Sequence, residues 1–166
     1  FLIGAHIGNW ELGPYAALGV GHKVAAIYRP LNNQLLFGLL ERRQANYGGD
    51  IFRKGREAAL GMFSALRKGQ VMCLLVDQQL REGLPVPFFG YPAQTSVSHV
   101  KLAIRKKVPL MYMRPERLGG SRFRITISPP IALPAEDDDS TVIAVATEIN
   151  AEIERWIRAA PDQWFW

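Results

Sequence analysis

A single cysteine among 166 residues excludes an internal disulfide. Cys73 lies in an apolar, strand-like run, the setting of a buried thiol. Three histidines and that cysteine are scattered without recognisable zinc spacing, so no metal site is expected. No G-x-S-x-G elbow is present, which removes a serine nucleophile of the hydrolase kind. No Walker loop and no G-x-G-x-x-G occur, so neither a nucleotide nor another cofactor is expected. The longest uninterrupted apolar run, Val71 to Val76, is far too short to cross a bilayer. Internal repeats, low-complexity tracts and a second domain are also missing from the pattern.

What is present fits one domain over 1–166, with 48% apolar residues and a mean hydropathy near zero. The chain does not begin with Met, and Phe1 sits inside an apparent strand. It stops on the apolar Trp164-Phe165-Trp166, so it reads as the middle of a longer protein. A net charge of +5 and a pI near 9.6 favour an anionic partner. Nucleic-acid motifs are missing, and the aromatics are not interleaved with arginine as base-stacking platforms would be. Between Lys101 and Arg124 there are eight basic residues and one acidic residue, whereas Glu136 to Asp139 is acidic.

The opening stretch, Phe1 to Gly13, organises the reading of the rest. An apolar run ends on His6, a glycine and an asparagine mark a turn, and Glu11 follows five residues after the histidine. Imidazole takes and returns protons near neutrality, and a carboxylate on one ring nitrogen leaves the other basic. Partners on one face of a continuous helix sit three or four apart. The pair therefore meets only if His6 lies in the turn and Glu11 in the first turn of the next helix. A capping histidine and a solvated glutamate is the alternative.

Downstream, strands and helices alternate. A short helix spans Trp10 to Leu18, and a strand from Lys23 to Tyr28 delivers Arg29-Pro30. A helix carrying Leu35, Leu36, Leu39 and Leu40 follows, capped by Asn32 or Asn33. Asp50 to Arg53 is a brief strand, and a helix from about Glu57 to Lys68 turns Leu60, Phe63 and Leu66 inward. Val71 to Val76 is a buried strand ending in Asp77-Gln78-Gln79. Glu82 to Pro92 reads as an irregular loop holding Phe88, Phe89 and Tyr91, either tucked on the core or lining a groove. Thr95 or Ser96 caps a helix that buries Val97, Val100 and Ile104 and exposes Lys101, Arg105 and Lys106, with His99 a bystander. Pro109 to Met113 and Phe123 to Ile127 form a hairpin across Gly119-Gly120. After an extended linker, Ser140 caps a long helix whose apolar face is Val142, Ala146, Ile149, Ile153 and Trp156.

This order implies a three-layer α/β fold with a predominantly parallel, partly mixed sheet and helices on both faces. Ligands of such sheets bind beyond the carboxyl ends of the strands. His6, Arg29, Arg53 and Asp77 all fall there.

Gly-Ala-His-Ile-Gly-Asn-Trp-Glu resembles the H-x4-D/E box of the glycerolipid acyltransferase superfamily. With glutamate in the box it is similar to the lipid A biosynthesis late acyltransferases. Tyr28-Arg29-Pro30, Ile51-Phe52-Arg53, Leu75-Val76-Asp77-Gln78, Val86 to Ala93 and Pro161 to Trp166 match in the family's order, so the resemblance spans the chain. It implies a glycerol-phosphate-acyltransferase-like fold and transfer from an acyl carrier protein thioester to a hydroxyl of a phosphorylated lipid A precursor. It further implies His6 and Glu11 as the catalytic pair, with Arg29, Arg53, Asp77, Gln78, Phe88 and Phe89 binding substrate. A missing N-terminal membrane helix, a few missing basic C-terminal residues and a place on the cytoplasmic face of the inner membrane follow from the same resemblance. The helix bearing Lys101, Arg105, Lys106 and Lys107 suits either the acidic carrier protein or anionic lipid. Another glycolipid acyltransferase, for instance one acting on phosphatidylinositol mannoside, or a non-catalytic membrane-peripheral lipid-binding module are the competing readings.

Overall fold

The computed structural model describes residues 1–28, 38, 42 and 45–165. Arg29 and the helix expected around Leu35 to Leu40 lie outside the described residues. The chain divides into two compact units, Glu11–Leu74 and Phe1–Trp10 with Leu75–Trp166.

In the unit Glu11–Leu74, Pro14 opens helix α1 (Gly13–Gly19), where its missing N–H costs nothing. Strand β2 (Val24–Tyr28) pairs in parallel with β3 (Gly48–Arg53) and with β4 (Val71–Leu75). Flanked on both edges, Val24 and Ala25 are fully buried. Helix α2 (Arg56–Arg67) departs from expectation. Its buried positions are Ala58, Gly61, Met62 and Ala65, while Leu60 is 75% and Phe63 46% exposed. The cause is close packing on β3: a Cβ on Gly61 would lie 2.3 Å from the Phe52 ring. A small-residue stripe fits that approach, and large side chains at 60 and 63 are turned outward.

In the other unit, β1 (Leu2–Gly4) runs parallel to β7 (Met111–Gly119), which forms an antiparallel pair with β8 (Arg122–Pro130). The turn between them is Gly120-Ser121, one residue beyond the expected Gly119-Gly120, and both of those glycines have positive φ. Helices α3 (Ser98–Lys106) and α4 (Asp139–Ala159) contribute the core side. Helix α4 buries Val142, Ala146, Ile149, Ile153 and Trp156, the stripe read from the sequence, and each large apolar side chain contributes about 1.5–3 kcal/mol by leaving water. Its cap is Asp138 rather than Ser140: the Asp138 carboxylate accepts from Thr141 N at 3.1 Å. Helix α3 begins after Val97 with no side-chain cap, so neither Thr95 nor Ser96 plays that part.

Most of the segment expected as an irregular loop is a hairpin, β5 (Gln79–Phe88) paired with β6 (Tyr91–Thr95). Pro85 and Pro87 are tolerated because this is a two-stranded sheet, in which each strand has an unpaired edge. Its two-residue turn is Phe89-Gly90, with φ of 51° and 80°. Positive φ at both central residues matches the right-handed strand twist, but it strains a phenylalanine. Two contacts from α4 hold Phe89 there: Glu154 accepts its N–H at 2.6 Å, and the Arg158 guanidinium lies 4.8 Å above its ring.

With parallel pairs in both units, one antiparallel pair in β7–β8, and helices beside them, the chain is a mostly parallel, mixed α/β protein of the three-layer class.

Candidate active site

The site begins where β1 stops. Ala5 and Ile7 are buried on either side of His6, and Ile7 N donates to Ala5 O at 2.7 Å, so the chain turns sharply and presents the His6 side chain. Val76 N donates to Gly4 O at 3.0 Å, which carries the next residue, Asp77, alongside the histidine. The two are 71 positions apart in sequence and adjacent because both follow strand ends.

Asp77 makes two bonds to His6. Its Oδ1 lies 2.7 Å from Nδ1 of the ring, and its Oδ2 accepts the His6 backbone N–H at 2.8 Å. A carboxylate is an acceptor only, so the Nδ1 it faces carries the proton and Nε2 presents its lone pair. Gln78 Nε2 stands 3.4 Å from that second nitrogen. Trp10 packs edge-on against the imidazole with centroids 5.1 Å apart.

The electrostatics agree with this arrangement. The Asp77 side chain is 0% exposed and that of His6 16%. Burial alone raises a carboxyl pKa, yet the pKa of Asp77 is held below the ordinary value. The lowering comes from His6, through its ring hydrogen bond, its charge and its backbone N–H, and then from the Trp164 indole. Asp77 is therefore an anion at neutral pH, with its charge directed at the imidazole. Elsewhere burial pushes the Cys73 thiol up to about 12, which leaves it no thiolate character at neutral pH.

The segment after α4 returns to this turn. Trp164 forms an antiparallel bridge with Ile7, Gly8 N donates to Gln163 O at 2.8 Å, and Phe165 N donates to His6 O at 2.7 Å. Gly8 is required here: its φ is 58°, and an added Cβ would lie 3.1 Å from Pro115 O. Trp164 Nε1 donates to Asp77 Oδ2 at 3.1 Å. Beside these groups is a cavity of about 340 Å³ whose lining includes Asp77, Gln78, Phe88, Phe89, Asn150 and Trp164. A cavity of this size, lined by aromatic and polar side chains together, suits a small or narrow ligand segment.

Of the residues selected from the sequence, His6, Asp77, Gln78, Phe88 and Phe89 are thus brought together. The spacing points to Glu11 as the ring-orienting carboxylate, but the carboxylate hydrogen-bonded to Nδ1 is Asp77. Glu11 lies in a 3-10 turn, Trp10–Leu12, and is counted with the other unit, where Arg53 is exposed at the end of β3. In the sequence Trp164 stands only within the Pro161 to Trp166 match, where nothing marks it as a site residue. Lys101 and Arg105 are engaged by Asp139 and Asp137, so the acidic patch covers part of the basic face of α3. Among the described residues, no group of three or more His, Cys, Asp and Glu is placed to hold a metal, and no helix is long and apolar enough to cross a membrane.

The whole chain, residues 1–166, matches the family described as Bacterial lipid A biosynthesis acyltransferase. It is 28% identical to the lipid A biosynthesis palmitoleoyltransferase of Escherichia coli K12 over 99% of this chain and 53% of that protein. The lipid A biosynthesis lauroyltransferase of the same organism gives the same figures. A lipid A biosynthesis acyltransferase of Haemophilus influenzae is 25% identical over 88% of this chain and 45% of that protein. The chain spans about half the length of these curated relatives.

Proposed function

The chain belongs to the bacterial lipid A biosynthesis acyltransferases, and on that premise we propose that it moves a fatty acyl chain onto a hydroxyl of a phosphorylated lipid A precursor. The donor is an acyl carrier protein thioester, and the reaction takes place at the cytoplasmic face of the inner membrane. The observation that carries this reading is the His6 ring, held at Nδ1 by a buried, ionised Asp77.

His6 Nε2 takes the proton of the acceptor hydroxyl as its oxygen attacks the thioester carbonyl. The tetrahedral oxyanion is stabilised by the Asn9 N–H of the Gly8-Asn9 turn, since the Gly8 N–H is given to Gln163, or by Arg29. As it collapses, the carbon–sulfur bond breaks and His6 protonates the departing thiolate. The acceptor hydroxyl takes the place that serine holds in a triad enzyme, so no nucleophile of the protein is needed. Asp77 fixes the tautomer and balances the imidazolium, and Glu11, the carboxylate of the H-x4-E box, adds negative charge during the same step. Gln78, Phe88 and Phe89 bind the apolar part of the substrate from the cavity side. Arg53, exposed on its strand end, binds a phosphate of the acceptor.

The test is mass spectrometry of lipid products after incubation with carrier protein thioesters and a phosphorylated glucosamine disaccharide precursor. One added acyl chain is expected, and His6→Ala should reduce its rate by about 10²–10⁴-fold with the melting temperature retained. Transfer by His6→Ala at the unmodified rate would overturn the assignment.

A further inference from the structure

The Pro161 to Trp166 motif is not used by the chemistry above, although its backbone is tied to the histidine turn. Asp77 has two bonds to His6, one to the ring and one to the backbone. The carboxylate is thus held largely by the residue that it must itself hold. Trp164 supplies the third bond, to Oδ2, the oxygen that does not face the ring. Indole nitrogen is only a donor, so this bond is made to the carboxylate in its acceptor form and cannot be reversed.

The position of the indole is itself fixed. Gln163 O and Phe165 N, one residue to either side of Trp164, bond to Gly8 N and His6 O at 2.8 and 2.7 Å. Phe88 and Phe89 meet the indole ring, each with centroids 6.3 Å away. A residue that merely walled the cavity would need the ring but not this register. We propose that Trp164 is a positioning residue for acyl transfer: held on the His6 turn by its neighbours' backbone, its indole N–H fixes the Asp77 carboxylate in the orientation that sets the His6 ring.

This inference rests on the acyl-transfer reading, and its test separates the two. Trp164→Phe keeps an aromatic wall and removes the N–H. Benzothienylalanine at the same position keeps the bicyclic shape and replaces the N–H with sulfur, so it covers the case in which the smaller ring disturbs folding. Both variants should lower kcat by about 10- to 100-fold, the effect of losing a hydrogen bond to a charged group, with KM for donor and acceptor within about twofold. In an Asp77→Asn background neither should lower kcat further, because a residue acting through Asp77 has nothing left to act on.

The second readout needs no turnover. His6 is the titratable partner that the structure places on Asp77. Carbon NMR of the Asp77 carboxyl should show its titration moving to higher pH in either variant, because a donor that favours the anion has gone. An unmoved Asp77 titration, an unchanged kcat, or an equal loss in the Asp77→Asn background would each overturn the proposal. A shifted titration in a protein that transfers no acyl group would uphold the positioning contact and refute the acyl-transfer reading instead.

Discussion

The two compact units place their polar strand ends under opposite conditions. In the unit that holds β1, the Asp77 side chain is wholly buried and bonded by His6 and Trp164, and His6 is largely enclosed. In the unit that holds β3, Arg53 and Lys54 follow the strand into solvent, and the ion pair Lys68–Asp50 at 2.5 Å is exposed on its lysine side. The same parallel architecture thus yields a fixed, desolvated hydrogen-bond chain in one place and exposed cations in another. A proton transfer needs the first, because a donor or base misplaced by about 1 Å can cost on the order of 10²-fold. Binding a diffuse anionic group needs only the second. Substitutions at His6, Asp77 and Trp164 should therefore change kcat, and one at the exposed Arg53 should change KM.

Enclosure alone does not make an active histidine, and His99 sharpens that contrast. It is buried on α3 with Nε2 lacking a hydrogen-bond partner, and burial pushes its pKa down to about 4. Between about pH 6.5 and about pH 4 the unfolded chain binds a proton there and the folded chain does not. Stability is full above about pH 6.5 and falls on the order of 3 kcal/mol as pH drops toward the folded value. Urea midpoints at pH 7 and pH 4.5 should differ accordingly, and His99→Leu should lose most of that difference. A pH dependence unchanged by the substitution would mean that His99 is not buried in its neutral form.

A smaller effect is expected at the exposed end of β3. Arg53→Ala should raise KM for a phosphorylated acceptor by about tenfold, leave kcat nearly unchanged, and weaken the salt dependence of KM. A loss confined to kcat would erase the distinction between the two units.

The legible parts of the chain were those in which one element carries its own instructions. Helix α4 shows large apolar side chains at helical spacing because its own length and face settle its packing. Helix α2 misled for a physical reason: the approach of Phe52 to Gly61 selects small residues, and that neighbour is nine positions away on another element. The β5–β6 hairpin looked like a loop because its prolines and glycines are those of loops. They are accommodated by unpaired edges and by a bulge at Gly83, where a Cβ would lie 2.5 Å from Thr95 O. At the site, His6 and Asp77 were each recognisable as strand-end residues. Their bond was not, since no spacing rule joins positions brought together by separate strands. Glu11 drew the orienting role because it is near in sequence. Trp164 could have been noticed only by asking which donor would reach a buried carboxylate.

The central claim is that Asp77, on the floor of the site, sets the working tautomer of His6. The most direct measurement is the single-turnover rate of acyl transfer by Asp77→Asn, taken together with nitrogen NMR of the His6 ring. The account predicts a rate lower by about 10²–10³-fold and a neutral His6 that no longer keeps its proton on Nδ1, with the fold and donor binding intact. A variant that transfers at the original rate, with the His6 proton still on Nδ1, would contradict it.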